Sequence, residues 1–177
     1  MQLRIAVIGQ SGQVPARTWD LAEEVGRLIA QNNGILLTGG TDGIMEAASR
    51  GASKAGGIVV GILPGGDQKL ANPYVNVPIT TGLAFDQRSS VLIHSADAVI
   101  MIAGANGTLG ELSLAYQNNK PTVVLEGSGG WADKIRSIAP DGFLDSRKNV
   151  RIRFAQSASL AVELAFALIE KVEEKAI

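Results

Sequence analysis

Short runs of β-branched and aliphatic residues recur along the chain, each closed by glycine or a polar turn and each followed by a stretch with helical spacing of apolar positions. This alternation predicts βαβ units and a parallel sheet, with about six strands. Arg4 to Ile8 is the first and runs into Gly9-Gln10-Ser11-Gly12, before a helix from about Pro15 to Gln31 whose proline sits in the first turn, where a missing N–H is harmless. Ile35 to Thr38 follows, ending in Gly39-Gly40, with a helix from Gly43 to Ala55. Ile58 to Leu63 ends in Pro64-Gly65-Gly66, and an extended piece from Val75 to Thr80 leads to a helix from Leu83 to Ser95. Ala98 to Ile102 is next, with the loop Ala103 to Gly107 and a helix to Gln117, then Thr122 to Leu125. Beyond Gly130 the pattern weakens to a brief helix from Trp131 to Ile138, an edge strand at Arg151 to Phe154, and a closing amphipathic helix from Ser157 to about Lys171.

Within the strands apolar residues are consecutive rather than alternating, as in Ile58-Val59-Val60 and Ala98-Val99-Ile100-Met101-Ile102, so both sheet faces are expected to be covered by helices. The fold class is therefore α/β, a Rossmann-like, doubly wound parallel sheet sandwiched by helices. In such sheets ligands bind outside the carboxyl ends of the strands, where the chain order reverses, and the glycine loops fall at those ends.

Composition narrows the picture. With 177 residues and 46% hydrophobic content, the chain has material for one substantial core, so residues 1–177 are read as a single domain. Sixteen Lys and Arg against 17 Asp and Glu create no field to gather nucleic acid or an anionic membrane, and both partners are disfavoured. The absence of cysteine removes disulfides, thiolate nucleophiles and cysteine metal sites, which fits a cytoplasmic setting. MQLRIAVIGQ has neither a long apolar region nor a cleavage site after it and reads as a core strand, and no window is long and apolar enough to cross a bilayer.

Three loops carry the candidate chemistry: Gly9-Gln10-Ser11-Gly12, Thr38-Gly39-Gly40-Thr41-Asp42-Gly43, and Ala103-Gly104-Ala105-Asn106-Gly107-Thr108. Each leaves a strand and enters a helix, so glycine admits a ligand close to the backbone while free N–H groups at the helix start attract an anion such as phosphate. An ordinary tight turn explains any one of them; three together favour a site. None is a Walker A loop or a GxGxxG dinucleotide loop.

Single residues leave alternatives open. Thr108-Leu109-Gly110-Glu111 fits a capping box in which Thr108 caps the helix and Glu111 reaches back to it. If Glu111 instead faces the cleft, the positive helix end would keep it ionised, ready for a ribose hydroxyl or a developing cation. Arg88, entering a helix of small and apolar residues, suits a planar anion or a carboxylate, or else a surface ion pair. Asp97 reads as a turn or cap residue, His94 as structural because it has no ligand constellation around it, and Trp19 and Trp131 as core or interface anchors. No metal site is expected.

The ordered set Gly39-Gly40-Thr41-Asp42-Gly43-Ile44-Met45, Arg88, Ser95-Ala96-Asp97-Ala98-Val99-Ile100 and Gly104-Ala105-Asn106-Gly107-Thr108-Leu109-Gly110-Glu111 resembles the superfamily of molybdenum cofactor carrier proteins and Lonely-guy phosphoribohydrolases, formerly mislabelled lysine decarboxylases. The resemblance spans residues 1 to 175. In the hydrolase branch it implies a proline-glycine-glycine-x-glycine-threonine-x-x-glutamate motif with an upstream arginine, whose catalytic pair would fall on Arg88 and Glu111 and whose phosphate-binding pair would fall on Gly107 and Thr108. Ala103 and Ala105 replace that proline and one glycine, and Ser89 stands where the branch has lysine. These departures bring the chain closer to the carrier branch. The resemblance then implies a holder of phosphorylated molybdopterin, the molybdenum cofactor, contacted by Gly9, Ser11, Gly12, Gly39, Gly40, Thr41, Asp42, Gly43, Met45, Arg88, Gly104, Asn106, Gly107, Thr108 and Glu111. The pterin dithiolene would hold the metal, so no protein thiolate is needed. It further implies a homodimer or homotetramer. The alternative is hydrolysis of the N-glycosidic bond of a nucleoside 5′-monophosphate.

Overall fold

The computed structural model describes residues 2–174. Its elements follow the alternation of the sequence: β1 (Arg4–Gly9), α1 (Ala16–Gln31), β2 (Ile35–Thr38), α2 (Ile44–Lys54), β3 (Val59–Leu63), β4 (Val77–Thr80), α3 (Phe85–Ser95), β5 (Ala98–Ile102), α4 (Asn106–Gln117), β6 (Thr122–Leu125), α5 (Ala132–Ile138), β7 (Arg153–Ala155) and α6 (Ala158–Glu174). The seven strands form one sheet of order β4-β3-β2-β1-β5-β6-β7, and every neighbouring pair is parallel. The chain order reverses between β1 and β5, whose register pairs Ile5 with Ala98 and Gly9 with Ile102.

Consecutive apolar residues in a strand serve opposite faces. Ile5 and Val7 pack with Ala22, Val25 and Ile29 of α1 and with Ala47 and Ala48 of α2, and α6 joins that layer through Ala161, Val162 and Ala165. Ala6 and Ile8 face the other way, against Leu92 and Ile93 of α3, Leu112 and Ala115 of α4, and Ile135 of α5. Each fully buried aliphatic side chain contributes roughly 1.5–3 kcal/mol. Trp19 packs beside the first layer and Trp131 beside the second. His94 is exposed in the last turn of α3.

Two further contacts tie the elements together. Asp97 sits in the bend before β5, as expected of a turn residue, and also clamps β1 to β5: it accepts the Arg4 backbone N–H at 2.8 Å and the Arg4 guanidinium at 2.6 Å. Helices α1 and α2 touch almost backbone to backbone, because a Cβ on Gly26 would strike the Ala48 carbonyl and one on Gly51 would strike the Glu23 carbonyl. Among the described residues no helix is long and apolar enough to cross a membrane.

Candidate functional site

The ends of β1, β2 and β5 bring all three glycine loops to one edge of the sheet, at the reversal point, where they surround a cavity of about 710 Å³. Gly9, Gln10 and Ser11 form one wall, Thr41 and Met45 another, the first turns of α3 a third, and α4 from Asn106 to Gln117 the fourth. The loops are open, not collapsed on each other.

Each loop is fixed by contacts beneath it. Ile44 donates its N–H to the Gln10 carbonyl at 3.0 Å, and Gly43, at φ 65°, leaves no room for a Cβ, which would press on that same oxygen. Buried Asn72 donates from its side chain to the carbonyls of Gly40 (3.1 Å) and Thr41 (2.8 Å). Ser128 accepts the Ala103 N–H at 2.8 Å while donating to the Leu125 carbonyl. Ala103 itself lies at φ 51°, a region closed to proline, whose ring holds φ near −65°.

Arg88, in the first turn of α3, is 5% exposed, so the surface ion-pair alternative fails. Its Nη1 lies 3.9 Å from Glu111 Oε1, too far for a hydrogen bond, and among the described residues its Nε and Nη1 have no hydrogen-bond partner. Burial pushes the guanidinium below its ordinary value, and the Glu111 charge opposes this. Gly39 sets its place from behind, since a Cβ there would meet Arg88 Nη1 and lie 2.6 Å from Met45 Sδ. Buried donors left unpaired in a folded protein are unusual and point outward to a missing acceptor.

Glu111 corrects two expectations. Helix α4 begins at Asn106 with Ala105 in the cap position and no side-chain cap, so the capping box does not form. Thr108 is already inside the helix and buried, and Glu111 turns away from the helix start to accept a hydrogen bond from Ser89 Oγ at 3.0 Å. The carboxyl does line the cavity, yet the helix end does not govern its charge: burial raises its pKa above the ordinary carboxylate range, against the opposing pull of Arg88 and Ser89. The uncapped first turn of α4 leaves its leading N–H groups without intrahelical acceptors beside the cavity.

Of the residues singled out from the sequence, Gly9, Ser11, Thr41, Met45, Arg88, Asn106, Gly107, Thr108 and Glu111 lie on the cavity wall. Gly12, Gly39, Gly40, Asp42, Gly43 and Gly104 stand outside that lining; Gly39 and Gly43 act as spacers, and Asp42 is exposed. Phe85, Gly110, Leu114 and Gln117 line it without having been singled out for it, and Asn72 and Ser128, which stand outside the lining and hold its loops, were not singled out either. Phe85, three positions before Arg88 at the start of a helix, carried a spacing signal; Asn72 and Ser128 carried none, being lone polar residues in irregular segments. Among the described residues no three His, Asp or Glu side chains gather as metal ligands.

The model of the SLOG cluster4 family matches residues 2–161. Among solved structures, a Northeast Structural Genomics Consortium target aligns with a TM-score of 0.86 at 39% identity, covering 96% of this chain and 99% of that one. The molybdenum cofactor binding protein of the phototrophic bacterium Rippkaea orientalis aligns at 0.84 and 32%, covering 96% and 98%. The molybdenum cofactor carrier protein of Chlamydomonas reinhardtii aligns at 0.81 and 30%, covering 96% and 99%. The resemblance read from the motifs extends over nearly the whole chain, which belongs to the SLOG cluster4 family.

Proposed function

We propose that this chain binds and carries molybdenum cofactor in the cavity between α3 and α4, without transforming it. The observation that carries the reading is the Arg88 guanidinium, buried on the cavity wall with Nε and Nη1 unpartnered. A phosphate held between Arg88 and the first turn of α4 would be neutralised by the guanidinium charge and would accept from the free N–H groups of Gly107 and Thr108. Ser11, Thr41 and Asn106 offer hydroxyl and amide groups to the polar edges of a pterin. The molybdenum would stay on the ligand's own dithiolene, consistent with a chain that has no cysteine. The names of the Rippkaea and Chlamydomonas relatives support the same ligand. We place the chain in the cytoplasm as a homodimer or homotetramer.

The hydrolase alternative has Arg88 and Glu111 in one cavity, but Glu111 is held by Ser89 and drawn towards its neutral form, the wrong direction for steadying a cationic sugar. Two incubations separate the readings. Protein mixed with molybdenum cofactor and then gel-filtered should retain molybdenum in proportion to chain, and protein mixed with AMP or a cytokinin riboside monophosphate should release no free base. Base release that vanishes in Glu111→Ala, with no metal retained, would replace carriage by hydrolysis.

A further inference from the structure

Gly110 has no packing reason to be glycine. It stands in the second turn of α4, where glycine weakens a helix relative to alanine, and a Cβ built there meets nothing within 4 Å. Gly51 in α2 is the contrast, its missing side chain being demanded by the neighbouring helix. One turn before Gly110, Gly107 is equally bare. Helical spacing sets Gly107, Gly110, Leu114 and Gln117 along one face, and all four line the cavity.

The α3 wall of the same cavity carries Phe85, 65% exposed, its ring centroid 6.0 Å from Arg88 Cζ. Arg88, a buried cation whose Nε and Nη1 find no acceptor among the described residues, lines this same space, an independent sign that a ligand belongs there. A volume of about 710 Å³ far exceeds a phosphate group and lies in the range of sites that enclose a whole organic ligand.

We infer that the bare face of α4 at Gly110 and the ring of Phe85 form a slot for the flat fused-ring nitrogen heterocycle of the bound ligand, with its phosphate at the Arg88 end. A glycine face lets a planar ring lie against the helix backbone, and an aromatic side chain covers it by stacking. This inference rests on reading the cavity as the site of a phosphorylated ligand. The slot takes the fused ring whether it is a pterin or a purine, so the choice of probe identifies the source.

Gly110→Leu and Phe85→Ala are titrated beside the parent with molybdenum cofactor, AMP and inorganic phosphate, with Tm and sedimentation mass recorded. The slot predicts that Gly110→Leu weakens the ring-bearing probe by at least about tenfold and leaves the phosphate Kd within about twofold. Phe85→Ala weakens the same probe severalfold. Leucine is the better helix former, so the Tm of Gly110→Leu is no lower than the parent's. Whichever of cofactor and AMP responds names the heterocycle. Equal affinity of parent and Gly110→Leu for the ring-bearing probe overturns the slot while leaving the anion site standing, as does a parent that binds phosphate alone. Lost affinity together with a changed sedimentation mass assigns the glycine face to an interface between copies and also overturns it. A parent that binds none of the three removes the underlying reading.

Discussion

A guanidinium that is 5% exposed and leaves two nitrogens without acceptors lowers the stability of the chain that carries it. Arg88→Met keeps the length of the side chain and removes the unpaired charge, so thermal melting should give a Tm equal to or above the parent's; a drop of several degrees would mean that Arg88 is structural. Glu111 has its own pH signature. Burial raises its folded-state pKa above the unfolded value, so its contribution to stability is fully present below the unfolded value and is lost as pH rises through the folded one. Glu111→Gln should therefore be the more stable protein at neutral pH and should flatten the loss, which a series of melts from acid to neutral pH would record. A stability difference between Glu111→Gln and the parent that shrinks as pH rises across that window would contradict the direction. The type and position of both residues were legible in the sequence, and their burial was not. Thr108 and Glu111 fit a capping box by spacing alone, and only the start of α4 at Asn106 and the reach of Ser89 from α3 decide against it.

Between elements, glycine does two different jobs that look alike in a sequence. Gly26 and Gly51 lie inside helices and let α1 and α2 approach until a Cβ would overlap a carbonyl. Gly51→Ala gains helix propensity yet should destabilise the fold by about 1–3 kcal/mol, since the obstacle is backbone that cannot swing aside. Urea unfolding measures this; an unchanged midpoint would mean that the helices separate freely. Consecutive apolar residues in Ala98 to Ile102 were enough to anticipate a sheet covered on both faces, and the strand-to-helix alternation was enough to anticipate parallel pairing. Neither Asn72 nor Ser128 could be found that way, because each acts on a loop 31 or 25 residues distant through a hydrogen bond that only the tertiary fold creates.

At the scale of the whole molecule, the reversal between β1 and β5 gathers three loops that are widely separated in sequence, and one cavity results. The sheet ends at β4, an edge strand whose Val77 and Ile79 are 45% and 43% exposed. An apolar edge of this kind invites pairing with another chain. We expect the parent to sediment as a dimer or tetramer and Ile79→Lys to shift towards a single chain; a parent of one-chain mass would contradict the expected assembly. Carriage itself is tested most directly by calorimetric titration of the purified chain with molybdenum cofactor, parent beside Arg88→Met. Carriage predicts saturable binding at one cofactor per chain, weakened at least about tenfold by the substitution, as expected when charge-assisted hydrogen bonds are lost. Titration without saturation, or equal affinity in the two proteins, would contradict it.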